Sequence, residues 1–251
     1  MPRFFVRQDA VREGQICLTG EDAHHIARSL RMAVGDALTV CDMQGNEYDC
    51  RIEAFLDDRE VTARIIEAHK PQNEPPCYIR LFQALPKGDK LETVIQKAVE
   101  CGVSEIIPFE SERCVVRVKP EAEARKTERR QRIAEEAAKQ CGRSALPTIS
   151  ETVKFSDMLR LAKESELCLF CYEGEGTDPL GQVLREKRTI LERGCRISVI
   201  VGSEGGFSIP EADAIRGEGM IAVGLGRRIL RTETAPIFIL SCLCYATELG
   251  G

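Results

Sequence analysis

Hydrophobic positions change their period partway along the chain. Through residues 1–68 they fall in short alternating or apolar runs separated by turn signals. Ala37–Asp42 is one run, Asn46–Ile52 follows the Gln44-Gly45 turn, and Val61–Ile66 is another. Short runs so close together predict strands, and several of them in so few residues predict a small β-barrel. Glu21–Leu30 predicts a helix, opened by Thr19 or Asp22 as its cap. The stretch His69-Lys70-Pro71-Gln72-Asn73-Glu74-Pro75-Pro76 sets three prolines among polar residues. It disfavours helix and central strand alike and marks 71–76 as a linker.

Beyond the linker, strand-like and helix-like segments alternate. Ile79–Ala84, Val103–Phe109, Leu167–Tyr172, Ile197–Val201 and Met220–Val223 read as strands. Lys90–Cys101 reads as a helix ending at Gly102, Glu121–Cys141 as a long charged helix stopped by Gly142, and Asp178–Arg193 as mostly helical. This alternation predicts an α/β domain with a mainly parallel sheet. The expected organisation is therefore a β-rich domain over 1–70 and an α/β domain over 77–251.

Two glycine-rich loops follow the last two of these strands. They are Val201-Gly202-Ser203-Glu204-Gly205-Gly206-Phe207-Ser208 and the run from Gly224-Leu225-Gly226 through Arg227-Arg228-Ile229-Leu230-Arg231-Thr232-Glu233-Thr234-Ala235. Loops at the ends of neighbouring parallel strands converge on one crevice, where open α/β sheets bind ligands. The first loop lacks both the Gly-x-Gly-x-x-Gly dinucleotide fingerprint and a Gly-Lys-Ser/Thr ending. Its glycines permit positive φ and a close approach of backbone to ligand. Glu204 is a candidate for a ligand hydroxyl or amine; a tight turn with no ligand is the other reading.

The second loop clusters Arg227, Arg228 and Arg231 beside Glu233. Its Ile229 and Leu230 can wall a pocket for an adenine-like ring; a solvent-facing basic loop is the alternative. Thr232 or Thr234 can cap the helix that carries Ile237, Leu240, Leu243 and Cys244, with Pro236 in its first turn. Ser111–Cys114 and Gln140–Arg143 each place an arginine beside a strand or helix end, which locally reads as an ion pair or a helix-dipole partner. His24 and His25 share the first helix with Arg28 and Arg31, as part of a phosphate-facing surface or as structural histidines.

Composition narrows the classes. A chain of 251 residues with 43% hydrophobic and 30% charged residues fits an ordinary globular protein. Apolar runs are too short for a membrane span, and the N-terminus turns charged within a few residues, unlike a signal peptide, so the expected location is the cytoplasm. The 12 cysteines are scattered, Cys17, Cys101 and Cys242 inside apolar runs, and the chain has only 3 histidines. Cys168 and Cys171 form a CxxC, but within a strand their sulfurs point to opposite faces. The cysteines read as reduced, buried small hydrophobes, with no metal expected; a metal site or a redox pair is the lesser reading. The net charge of −5 argues against nonspecific polyanion binding. Residues 113–143 and the second loop are nevertheless rich in Arg and Lys, and local basic patches suffice for a specific nucleic-acid enzyme.

Taken together, Val-Gly-Ser-Glu-Gly-Gly-Phe-Ser, Leu-Gly-Arg-Arg-Ile-Leu-Arg-Thr-Glu-Thr-Ala, the Lys87–Gly102 segment, Ser111–Cys114, Gln140–Arg143 and His25–Met32 resemble the RsmE family of 16S ribosomal RNA (uracil-N3)-methyltransferases, of the SPOUT class. The resemblance spans nearly the whole chain. One departure is Ser203, where the family usually has proline.

The resemblance implies an N-terminal PUA-like RNA-binding barrel and a C-terminal α/β domain with a trefoil knot. It implies S-adenosylmethionine as donor, the small ribosomal subunit RNA as partner, and a homodimer with the pocket at the subunit interface. The donor pocket is then expected from Tyr172 and Glu173, from Val201, Gly202, Glu204, Gly205 and Gly206, and from Leu225, Gly226, Ile229 and Leu230. A side chain at Gly205 is expected to push toward the ligand. Glu233 is the expected proton acceptor and Arg231 the stabiliser of O2 or O4, or the anchor of the nucleotide phosphate. RNA contact is expected from Arg3, Arg7, His25, Arg28, Arg31, Arg113 and Arg143. The alternative is a noncatalytic RNA-binding ribosome-assembly factor of the same fold. A nucleotide-dependent oxidoreductase is a third reading, and its fingerprint is missing.

Overall fold

The computed structural model describes Met1–Asp57 and Arg59–Gly250. Asp58 and Gly251, which fall inside the expected domains, lie outside the described residues. The chain separates into two compact units: Met1–Glu74 with Ala138–Leu146, and Pro75–Ala137 with the chain from Pro147 onward. The first unit thus takes in the residues around Arg143 as well as the N-terminal segment.

The first unit contains β1 (Arg3–Phe5), β2 (Val11–Arg12), β3 (Gln15–Thr19), α1 (Gly20–His24) with a π-helical turn over His25–Ser29, β4 (Ala37–Cys41), β5 (Glu47–Asp57) and β6 (Glu60–His69). They form one sheet in the order β1-β4-β5-β6-β3-β2. Its pairs are antiparallel except β1 with β4. Alternation explains the core. Ile16 and Leu18 of β3 are buried while Gln15 and Thr19 face out, and they meet Phe4, Leu38, Val40, Ile52 and Val61, with Ala23 and Ile26 of the helix. Each of the larger of these side chains contributes about 1.5–3 kcal/mol of transfer free energy. β6 runs on to His69, the first residue of the stretch that reads as linker.

The second unit continues with β7 (Tyr78–Ala84), α2 (Lys90–Glu100), β8 (Glu105–Glu110), α3 (Pro120–Cys141), β9 (Thr148–Ile149), β10 (Val153–Lys154), α4 (Phe155–Ala162), β11 (Leu167–Cys171), β12 (Asp178–Pro179), α5 (Leu180–Glu186), α6 (Arg188–Glu192), β13 (Arg196–Val201), α7 (Ile209–Gly217), β14 (Ile221–Gly224) and α8 (Ala235–Cys244). The sheet order is β10-β8-β7-β13-β11-β14-β12, with β9 also on β8, and every pair is parallel. β7 and β13 are buried along all but their first residue, as strands covered on both faces must be. α2 buries Leu91, Val94, Ile95, Ala98 and Val99, the i, i+3, i+4, i+7, i+8 stripe of a one-faced helix.

Three details depart from the sequence pattern. β13 and β14, which precede the two glycine loops, are not direct neighbours: β11 lies between them. The Asp178–Arg193 segment starts as a short strand and breaks into two helices at Lys187, whose φ of −96° and ψ of 9° interrupt the helical backbone. Phe155–Ala162 forms a helix that the pattern does not predict; it buries Met158 and Ala162.

Cysteine burial is also less uniform than expected. Five of the 12 are buried, six are half-buried, Cys17, Cys101 and Cys242 among them, and Cys141 is exposed; all are free thiols. Among the described residues, no group of three or more His, Cys, Asp or Glu side chains could hold a metal ion. Among the described residues no helix is long and apolar enough to cross a membrane.

Candidate functional site

The carboxyl ends of β13, β11 and β14 open into one cavity of 750 Å³ within the second unit. Each end contributes a wall: Val201–Phe207 after β13, Cys171–Gly174 from β11, and Gly224–Thr232 after β14. All eleven residues expected to hold the donor line it: Tyr172, Glu173, Val201, Gly202, Glu204, Gly205, Gly206, Leu225, Gly226, Ile229 and Leu230. The β11 end is what brings Tyr172 and Glu173 between the two loops.

The first loop is a tight turn. Gly206 donates its N–H to the Ser203 carbonyl at 2.9 Å and has a φ of +62°. Phe207 anchors the turn by packing against Phe109 and Phe170, with ring centroids at 6.4 and 6.2 Å. Beyond it, Ser208 and Glu211 form a capping box for α7, and the Ser208 hydroxyl also donates to Glu112 at 2.6 Å. The Tyr172 wall is set by Gly174. A Cβ at Gly174 would stand 2.2 Å from Tyr172 Cε1, and Arg216 stacks on the same ring at 4.9 Å.

Gln83 ties the loops together from beneath. It is a fully buried polar side chain at the end of β7. Its Nε2 donates to Thr232 Oγ1 at 3.1 Å and lies 3.3 Å from the Gly202 carbonyl, to which Thr232 Oγ1 itself donates at 2.8 Å. Thr232 is thus a strut between loops and not a helix cap. Thr234 occupies the N-cap of α8, but its side chain makes no cap hydrogen bond. Gln83 Oε1 and Ser203 Oγ are buried without a hydrogen-bond partner among the described residues.

At the rim, Lys90 Nζ lies 2.9 Å from Glu204 Oε1 and 3.3 Å from Glu233 Oε2. The second contact is an ion pair by distance without hydrogen-bond alignment, which leaves Glu233 Oε2 buried and unbonded. Glu204 also accepts the Lys87 N–H at 3.1 Å. Partial burial pushes the Glu204 carboxyl up, but these donors outweigh it and hold it below the ordinary range. The hydrogen bond to Glu204 holds the Lys90 ammonium above its ordinary range. Desolvation pushes the Cys171 thiol up to about 12, so this cavity-lining sulfur stays protonated and is a poor nucleophile.

The remaining expected residues separate. Arg231 lines the cavity; Glu233 stands behind Lys90. Arg113, expected at RNA, lines the same cavity and donates Nη1 to the Gly205 carbonyl at 3.0 Å. A Cβ at Gly205 would meet Arg113 Cβ at 3.0 Å, so a side chain there presses on Arg113 first and not directly toward the ligand.

Two of the arginines expected at RNA are occupied inside the first unit. Arg143 is 5% exposed and pairs with Glu74 at 2.6 Å; Arg3 pairs with Glu47 at 2.7 Å. Both guanidiniums are held by carboxylates of the same unit, Arg3 by the buried Glu47 and Arg143 by the half-buried Glu74. Arg7, His25, Arg28 and Arg31 are exposed. Arg7 also borders a second cavity, of 620 Å³, in the first unit.

Sequence reasoning missed Lys90 and Gln83 as site residues, and each left a signal. A lysine in the first turn of a helix is unfavourable against the helix dipole unless carboxylates face it. A lone glutamine in the apolar run of a buried strand needs partners across the sheet.

Comparison with known proteins agrees with this geometry. A family model described as an RNA methyltransferase domain matches residues 73–244, and one described as an RNA methyltransferase PUA domain matches residues 18–66. The chain is 33% identical over 252 residues to the ribosomal RNA small subunit methyltransferase E of Bacillus subtilis (strain 168), covering 99% of this chain and 98% of that one. Among solved structures it is similar to a ribosomal RNA small subunit methyltransferase E from Neisseria gonorrhoeae bound to S-adenosyl methionine, with a TM-score of 0.83, 29% identity and 97% of each chain covered. It is likewise similar to a putative methyltransferase from Legionella pneumophila in complex with the same cofactor, with a TM-score of 0.84, 31% identity and 97% of each chain covered. The two domain models in tandem, a full-length relative and a glycine-walled cavity at the strand ends establish that this chain belongs to the ribosomal RNA small subunit methyltransferase E family.

Proposed function

We propose that the chain transfers a methyl group from S-adenosylmethionine to N3 of one uridine in 16S ribosomal RNA of the small subunit. The observation that carries this reading is the cavity walled jointly by Val201–Phe207, Cys171–Gly174 and Gly224–Thr232, with carboxylates and arginines among its lining residues. The residues fit the donor. Gly206 and Gly226 have φ of +62° and +110°, and no atom lies within 4 Å of where their Cβ would be, so bare backbone faces open space. Ser203 Oγ adds a buried, unpartnered polar atom beside them.

When bound, the donor supplies a methyl group made electrophilic by its sulfonium. The chain's own work is positioning and proton handling. Tyr172, Glu173, Val201, Gly202, Glu204, Gly205, Gly206, Leu225, Gly226, Ile229 and Leu230 would hold the donor, with Ile229 and Leu230 offering apolar surface to an adenine-like ring. Glu233 accepts the weakly acidic N3 proton through Oε2, which makes no hydrogen bond. Arg231 stabilises the charge that develops on O2 or O4, or anchors the nucleotide phosphate.

The organisation we propose is a PUA-like RNA-binding domain over 1–70 and a SPOUT methyltransferase domain over 77–251, the latter with a trefoil knot. RNA is met by the exposed Arg7, His25, Arg28 and Arg31, with Arg113 at the target base. The protein acts as a homodimer in the cytoplasm. The apolar stretch of α8 and the turn after it, exposing Phe238, Tyr245 and Leu249, is the proposed contact between copies.

A radiolabelled methyl-transfer assay on unmethylated small ribosomal subunits tests the reading. Incorporation is expected. RNA binding without incorporation would instead identify a noncatalytic assembly factor.

A further inference from the structure

Charge counting at the cavity points beyond the donor. The lining residues include five cations, Lys90, Arg113, Arg227, Arg228 and Arg231, and two carboxylates, Glu173 and Glu204. Lys90 is taken by Glu204, and Arg113 by the Gly205 carbonyl. Arg227, Arg228 and Arg231 are exposed, and no hydrogen bond or ion pair from their guanidiniums is found among the described residues. S-adenosylmethionine is itself a net cation whose single carboxylate can neutralise one guanidinium. At least two of the three are therefore surplus to the donor. Three like charges within five residues of one loop repel each other unless an anion with several charges sits among them. The chain as a whole has a net charge of −5, so this loop is a local departure and not part of a generally basic surface.

We propose that Arg227 and Arg228 contact consecutive backbone phosphates of the single-stranded RNA that presents the target nucleoside. The loop then serves two ligands: the apolar side chains and Gly226 of the Leu225–Leu230 stretch face the donor, and its two adjacent guanidiniums face the polyanion. Phosphate recognition of this kind carries no sequence information and positions the strand. This inference rests on the methyltransferase reading above.

The test compares the full-length wild type with the Arg227→Ala/Arg228→Ala and Arg227→Lys/Arg228→Lys double variants. Binding to a fluorescein-labelled single-stranded oligouridylate is followed by anisotropy at several salt concentrations, and donor binding by calorimetry. Each phosphate contact on a single strand adds about 0.7 to the slope of log K against log salt. The alanine variant is expected to lose about 1.4 of that slope. From about 50 to 200 mM salt its affinity should then fall about sevenfold less than that of the wild type. The donor dissociation constant should change less than about twofold, because neither arginine is among the residues proposed to hold the donor. The lysine variant should keep the wild-type slope.

An unchanged slope in the alanine variant overturns the assignment, and so does loss of donor binding. An unchanged slope with altered sedimentation would place the arginines between two copies of the chain instead. Failure of the wild type to transfer methyl to small subunits would overturn the functional reading separately, because the oligouridylate slope needs no turnover.

Discussion

Lys90 Nζ stands 2.9 Å from Glu204 Oε1, although the two residues are 114 positions apart in sequence. This ammonium joins the helix after β7 to the loop after β13, and its second contact, with Glu233, reaches the loop after β14. Replacing Lys90 with Met leaves two carboxylates facing each other without a cation. Turnover should fall roughly tenfold or more, as about 1.4 kcal/mol of lost organisation implies, and Lys90→Arg should restore part of it. Steady-state kinetics on small subunits checks this; a Met variant as active as wild type would remove Lys90 from the site.

Glu233→Gln keeps the shape of the side chain and removes its basicity. A positioned general base typically contributes about 10²–10⁴-fold, so the single-turnover rate should fall by that order. Donor affinity should not move, since Glu233 is not among the cavity-lining residues. Unchanged single-turnover methylation would take the proton-acceptor role away from Glu233.

Gly174→Ala forces the Tyr172 ring away from a Cβ that would stand 2.2 Å from its edge. Because Tyr172 walls the cavity, donor affinity should drop about tenfold, roughly the 1.4 kcal/mol that one displaced aromatic contact represents. Gly205→Val acts through Arg113 and should raise the KM for RNA as well as weaken the donor. Calorimetry with both variants separates these effects; normal donor binding in Gly174→Ala would contradict the role given to Tyr172.

Much of this was legible in the chain. The strands β7, β11 and β13 and the helix α2 follow from apolar periodicity, and the glycine loops announce themselves by composition. What stayed hidden depends on the sheet order. That β11 lies between β13 and β14 is a tertiary fact, and only that order seats Tyr172 between the loops. Local sequence could not show that Glu74 takes the guanidinium of Arg143, since the partners are 69 residues apart. Thr232 and Thr234 are equivalent as cap residues on paper; Gln83, a residue of another strand, decides that Thr232 is a strut.

Glu47 gives the first unit an acid-dependent stability. The hydrogen bond from Arg3 comes first among the causes that hold its carboxyl at about 2, with Ser144 and His69 adding to it and burial opposing it. A depressed folded-state value stabilises above the ordinary 4.5 and is lost as pH falls from there toward about 2. The shift corresponds to about 3 kcal/mol at most. Thermal unfolding followed by circular dichroism should show wild type well above Glu47→Gln at pH 7, with the gap closing toward pH 2. An equal gap at both pH values would contradict the assignment.

The proposed reaction is the transfer of one methyl group to N3 of a uridine. It is tested most directly by mass-spectrometric mapping of 16S ribosomal RNA after reaction of unmethylated small subunits with the protein and S-adenosylmethionine. One uridine is expected to be heavier by a single methyl group, with its Watson–Crick edge blocked as N3 methylation requires. A methyl group on a ribose, on a carbon or on another base, or no methyl group at all, would contradict it.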